Sequence, residues 1–300
     1  MGAVVTGTPA GRRLLLVHAH PDDETIMTGG TIARYLAEGV DVRVLTFTLG
    51  EEGEVIGDEW AQLVADGGAD QLGGFRILEL SRALAALSPD GRAPLRPRFL
   101  GGAGRWRDSG MAGAPSANHP RALVRAPFDE PVRALVDVLT DFAPQVVVSY
   151  DVSGTYGHPD HKLVHEVTTA AVARAREVGP GPTKIYESVT ERTALDSGLA
   201  GVAAVPDGWR MPRDGELPSY PDVDITTEID ISAYLPQKVA ALAAHATQVT
   251  VAASGTEYAL SNNILQPIAR AEHFILTEPE RHESLGATDT RESDLFAGID

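Results

Sequence analysis

Cysteine is absent from the 300 residues. No disulfide framework can form and no thiolate can hold a metal, so any metal centre must be built from imidazole and carboxylate. Basic residues are in short supply: 25 Lys and Arg against 42 Asp and Glu leave a formal charge of −17. A field of that sign repels phosphate backbones, which argues against nucleic acid as a partner and against a phosphorylated substrate. Long apolar runs are missing as well. None approaches the roughly 18 uninterrupted residues a membrane helix needs, and the run at 14–17 is too short for a signal-peptide core. The expectation is a cytoplasmic protein with no membrane contact. The glycines at 29–30 and 101–104 lack the spacing of a dinucleotide fingerprint and the Lys-Ser/Thr ending of a phosphate loop, which excludes a nucleotide cofactor.

What is present reads as alternating strands and helices. Residues 14–17 form a continuous apolar run suited to a central strand buried on both faces. A helix is expected over 25–38, stopped by Gly39, then a strand over 40–47 and an acidic loop at 50–54. Helices at 59–64 and 75–87, a break at 89–97 and a short strand at 98–100 follow. Residues 101–120 have no periodicity and read as a long loop, and loops of that length are often functional. A helix at 131–142, a strong strand at 146–150, a helix at 161–177 and a strand at 184–189 complete the pattern. Such alternation implies an α/β fold: a Rossmann-like, mostly parallel sheet flanked by helices. Beyond 190 the signal weakens to a Pro-rich connection at 206–221, a strand at 222–229, a helix at 236–245, a helix start with a short strand within 264–277, and a charged, loosely held tail. The division expected is a catalytic domain over 1–190 and a smaller α+β portion over 191–300 that caps it or merges with it.

Two clusters carry the chemistry. His20-Pro-Asp-Asp23 falls where the first strand ends and the first helix begins, and His158-Pro-Asp-His161 follows the strand at 146–150. Ligands of open α/β sheets gather at the carboxyl ends of strands. Two such tripeptides at strand ends, in a chain with only 9 histidines, point to a metal site. His20, Asp23 and His161 are the expected ligands, and three protein ligands leave room for water, as catalytic sites do. Asp22 and Asp23 are adjacent, so their side chains should diverge, leaving Asp22 free to act as general base; capping of the helix is its competing role. His158 or Tyr156 could meet an oxyanion, and Asp160 could hold His158 charged and oriented. Either Asp22 or His158 could protonate a leaving amine. His18 reads as a core histidine, and His245 as structural or buried near the site's rim. Two histidines and a carboxylate also describe a ferrous oxygenase, but those sites usually sit in β-barrels.

The paired motifs resemble the zinc-dependent N-acetylglucosaminyl deacetylases, the family that includes the phosphatidylinositol-glycan enzyme. The likeness runs through Leu49-Gly-Glu-Glu-Gly-Glu54, Gly101-Gly-Ala-Gly-Arg-Trp-Arg-Asp-Ser-Gly-Met111, Ala241-Leu-Ala-Ala-His-Ala-Thr-Gln248 and Ser261-Asn-Asn263. Within the family it is similar to the branch serving mycothiol biosynthesis. The resemblance implies hydrolysis of the N-acetyl group of 1-D-myo-inosityl 2-acetamido-2-deoxy-α-D-glucopyranoside, a small pseudo-disaccharide, with one Zn2+ per subunit or Fe2+ in its place. The sister activity on the same scaffold is cleavage of mycothiol S-conjugates. The resemblance further implies Tyr156 as a mobile group touching the carbonyl oxygen and Glu54, Arg76 and Asp108 as contacts to sugar and inositol hydroxyls, with Met111 lining the site. Read alone, Glu54 would merely solvate a loop, Arg76 would pair with Glu79 or Asp70, and Asp108 would cap a turn. Oligomeric state is not legible.

Overall fold

A computed structural model describes residues 11–64, 70–278 and 291–299. The first strand, β1 (Arg13–His18), is buried along nearly its whole length. Its side chains alternate between two cores: Leu14 and Leu16 enter one, Leu15 and Val17 the other. Alternation with both faces apolar is the requirement for the middle of a three-layer α/β/α stack.

In chain order the elements are α1 (Asp23–Ala37), β2 (Asp41–Thr46), α2 (Gln71–Leu87), β3 (Arg98–Phe99), α3 (Asp129–Phe142), β4 (Val146–Ser149), α4 (Pro159–Val178), β5 (Lys184–Val189), α5 (Arg192–Ala200), β6 (Thr227–Asp230), α6 (Leu235–Ala244), β7 (Thr250–Val251), β8 (Glu257–Ala259), β9 (Gln266–Pro267) and β10 (Ala271–Leu276). Seven strands form the main sheet in the order β3-β2-β1-β4-β5-β10-β6. β1 pairs in parallel with both β2 and β4, whereas β10 runs antiparallel to β5 and β6. α1, α2 and α6 pack on one face and α3 and α4 on the other. The chain leaves β1 in one direction toward β2 and returns on its other side at β4, so the topological switch point lies between β1 and β4. Both His-Pro-Asp elements therefore open at that crevice.

The weak-signal region differs most from expectation. Outside it, the helical segment expected at 59–64 is a 3-10 helix over Asp58–Val64. Residues 222–224 are a 3-10 turn, and the strand expected there is confined to β6. No helix starts within 264–277, which instead supplies β9 and β10. Helix α5 and the antiparallel β7-β8-β9 sheet carried no recognised pattern. The tail expected to be loose is packed over 291–299, with Leu295 and Phe296 buried; its residues 279–290 and 300 lie outside the described residues. Among the described residues no helix is long and apolar enough to cross a membrane.

Candidate metal centre and substrate cleft

The two motifs meet as the topology requires. His20 Nδ1, Asp23 Oδ2 and His161 Nε2 form a triangle with edges of 3.4, 3.4 and 3.2 Å. Atoms about 2.0–2.1 Å from a tetrahedrally bound ion lie about 3.3–3.4 Å apart. Two imidazole nitrogens and a carboxylate oxygen at this spacing fit a divalent cation. The charge around them fits too, because His20 lies 3.4 Å from each of three carboxylates, Asp23, Asp108 and Asp160. His158 is a neighbour of the same group, one of its ring nitrogens lying within 4.8 Å of a nitrogen of His20 and of His161.

The surroundings fix these atoms. Tyr150, at the end of β4, donates its hydroxyl to Asp23 Oδ2 at 2.6 Å and accepts the Ala19 N–H at 2.6 Å. Its ring stacks on His161 with centroids 4.1 Å apart. The Nε2 of His20 faces Asp108 and Asp160, the arrangement by which a ligating histidine hands its second N–H to a carboxylate.

Asp22 and Asp23 do diverge. Asp22 has φ of 111°, left-handed and strained for a non-glycine residue. It precedes α1, yet its side chain makes no capping hydrogen bond. Its carboxylate instead meets the Arg76 guanidinium at 3.0 Å, beside the triangle and at the cleft. Burial pushes the Asp22 carboxyl up to about 6, against the opposing pull of Arg76. Arg76 is buried and pairs with neither Glu79 nor Asp70; it donates to the Gly50 carbonyl at 2.7 Å and to that of Pro21.

His158 ends the loop before α4 and caps it, its Nδ1 accepting the Asp160 N–H at 3.2 Å. Burial, reinforced by His20 and His161, lowers its pKa to about 3. The expected role of Asp160 is thereby corrected. Its carboxylate does not hold a charged His158 but accepts the Ser109 N–H at 2.9 Å and approaches His20. The reason is positional: residue 160 lies in the first turn of α4 after Pro159, and its side chain turns toward the Ser109 loop. The carboxylate facing His158 Nε2 is that of Asp108, 4.0 Å away. Asp108 is also tied by the Gly110 N–H at 2.8 Å and the Glu52 N–H at 3.2 Å.

These groups open into a cleft of about 580 Å³. Tyr156 and Met111 stand on its wall, 53% and 52% exposed. Glu54 lines it and accepts the Ser261 hydroxyl at 2.8 Å. The far wall comes from beyond residue 190, including Tyr220, Gln248, Tyr258 and Asn262. Three contributors were missed in the sequence: Tyr150, Glu51, whose buried carboxylate accepts the Asp108 N–H at 3.0 Å, and Tyr220, which donates to Asp151 at 2.6 Å. The apolar run ending in Tyr150 concealed its polar tip. Of the other histidines, His18 is buried 3.4 Å from the Thr28 hydroxyl, and His245 lies against Glu24 at 2.9 Å.

A buried His/Asp centre at the switch point of a Rossmann-like sheet is the architecture of a metal-site enzyme. The model of the GlcNAc-PI de-N-acetylase (PIG-L) family matches residues 15–172, and the chain belongs to that family. Among its relatives is a protein of Gordonia bronchialis named 1D-myo-inositol 2-acetamido-2-deoxy-alpha-D-glucopyranoside deacetylase. It is 71% identical over 287 residues, covering 95% of this chain and 100% of the relative. The protein of that name from Rhodococcus jostii is 60% identical, covering 96% and 98%. In fold, the chain is similar to the 4-carboxy-2-hydroxymuconate hydratase GalB of Pseudomonas putida, with a TM-score of 0.54, 19% identity and coverage of 89% and 96%.

Proposed function

We propose that this chain hydrolyses the acetamide of 1D-myo-inositol 2-acetamido-2-deoxy-α-D-glucopyranoside and releases acetate. One zinc ion per chain would be held by His20 Nδ1, Asp23 Oδ2 and His161 Nε2; ferrous iron suits the same donors. The observation that carries this reading is the ligand triangle with the Asp22 carboxylate beside it. Bound there, the metal supplies Lewis acidity toward the acetamide carbonyl and the attacking water. Asp22 takes the proton of that water, and its carboxyl, raised by burial, suits a group that must later give the proton up. His158 and Tyr156, which line the cleft against His161, would meet the developing oxyanion. Asp160 orients His20. Arg76, Asp108 and Glu54 receive hydroxyls of the sugar and inositol, with Met111 as an apolar side wall. The portion over 191–300 closes the cleft that 1–190 opens.

The test is acetate release by protein loaded with zinc or, anaerobically, with ferrous iron, after chelator has abolished activity. Asp22→Asn should keep its metal and lose about 10²–10⁴-fold in kcat. Full activity of that variant removes the base, and much faster cleavage of a mycothiol S-conjugate in parallel assays reassigns the substrate.

A further inference from the structure

Behind Asp22 lies a buried acid–base pair to which the chemistry above gives no task. Glu24 and His245 are both wholly inaccessible. His245 Nε2 lies 2.9 Å from Glu24 Oε1, and the Thr25 hydroxyl donates to the same oxygen at 2.5 Å. The other carboxylate oxygen, Oε2, accepts the backbone N–H of Asp22 at 3.0 Å. That N–H belongs to the residue with φ of 111°. A non-glycine residue stays in such a conformation only where its surroundings over-determine it. Burying a charged pair out of reach of water is expensive, and apolar side chains would often fill the same space at no loss of stability.

His245 is itself held. It ends α6, and the N–H groups of Gln248 and Val249 donate to its carbonyl at 2.9 and 2.8 Å. The next turn is pinned to α2, where Glu79 accepts the Thr247 N–H at 2.8 Å and the Thr247 hydroxyl at 2.7 Å. Helix α2 also carries Arg76, which meets the Asp22 carboxylate. Asp22 is thus gripped at both ends, its carboxylate by Arg76 and its backbone by Glu24, with His245 locking Glu24 in place.

We propose that Glu24 and His245 are positioning residues for the reaction: they hold the strained Asp22 backbone so that its carboxylate points at the attacking water while Asp23 points at the metal. This rests on the reading of Asp22 as the base. Removing the grip lets Asp22 relax toward an ordinary helix-capping conformation, which misdirects the carboxylate without touching the substrate.

The test compares Glu24→Gln, His245→Leu, His245→Gln and the apolar double variant Glu24→Met/His245→Leu with Asp22→Asn, measuring kcat, KM, bound metal and Tm on the metal-loaded protein. Glu24→Gln and His245→Leu should lower kcat about 10–100-fold. KM should stay within about threefold and metal content should not change, because substrate and metal contacts are intact. His245→Gln, which keeps an N–H for Glu24, should recover much of the loss, which a role in packing alone would not produce. Should a single variant fail to fold, the double variant decides, since an apolar replacement of a buried pair tends to preserve stability. Wild-type kcat in a folded, metal-loaded double variant overturns the proposal, as does a loss that follows metal content or KM instead of kcat. An active Asp22→Asn removes the base itself, an outcome separable from an inactive Asp22→Asn beside an active Glu24→Gln.

Discussion

At the scale of single residues, the donor types were legible and their partners were not. Spacing and composition singled out His20, Asp22, Asp23, His158 and His161, because an acidic, cysteine-free chain has few other ways to bind a metal. Sequence spacing could not tell that Asp160 turns to His20, or that Arg76 reaches Asp22 rather than a neighbour on its own helix; both depend on where loops 50 or more positions away come to rest. Tyr150 shows the consequence. Its hydroxyl sits between the Ala19 N–H and Asp23 Oδ2, fixing the carboxylate oxygen that forms a corner of the ligand triangle. Tyr150→Phe keeps the stacking on His161 and removes only that hydroxyl. Metal affinity should weaken about 10–100-fold, as for other partners of ligating groups, with little change in Tm. Competition against a fluorescent zinc chelator checks this, and unchanged affinity would mean that the backbone N–H of His20, which donates to Asp23 Oδ2 at 3.0 Å, suffices to hold it.

Among elements, the sequence announced those whose pattern is long or strongly apolar, β1, β4, α3 and α4 among them. It concealed those made of two or three residues, β7, β8 and β9, which have no period to detect, and it gave no sign of which helix glycines matter. Gly29 and Gly30 look equivalent in sequence and differ in space. A Cβ on Gly30 would lie 2.3, 2.6 and 2.8 Å from the Cδ1, Cβ and Cγ2 of Ile231, whereas one on Gly29 would meet ordinary contacts at 3.5–3.6 Å. Ile231 is fully buried and β-branched, so it cannot swing aside. Gly30→Ala should therefore destabilise by about 1–3 kcal/mol, more than helix propensity returns. Gly29→Ala should be neutral or raise stability by up to about 1 kcal/mol. Urea unfolding of the two variants measures both, and equal effects would mean that α1 shifts to admit either side chain.

For the whole molecule, the alternation of strands and helices placed the chain correctly in the α/β class, but the charge of its last residues misjudged its end. A charged tail is ordinarily a poor candidate for packing, and the alternation of Asp, Glu and Arg around 291–294 hides the adjacent apolar pair Leu295 and Phe296. That pair enters the core shared by α1, α2 and the sheet, with Phe296 edge-on to Tyr35 at 5.6 Å. Just before it, Glu292 receives Lys184 at 2.6 Å and the Tyr186 hydroxyl at 2.5 Å, tying the tail to β5. The tail thus closes the face of the sheet opposite α3 and α4. With −17 charges to hold together, a fold of this kind gains from every apolar side chain that seals an edge. Phe296→Ala should cost about 3–5 kcal/mol, the usual loss for a large aromatic side chain removed from a core. Because none of the described tail residues 291–299 contributes a side chain to the cleft lining, kcat of the folded fraction should stay at the wild-type value. Denaturant unfolding beside single-turnover acetate release separates the two quantities. Small loss of stability would mean that the core refills from α1, and a fall in kcat at full folding would mean that the tail bears on the active site through β5.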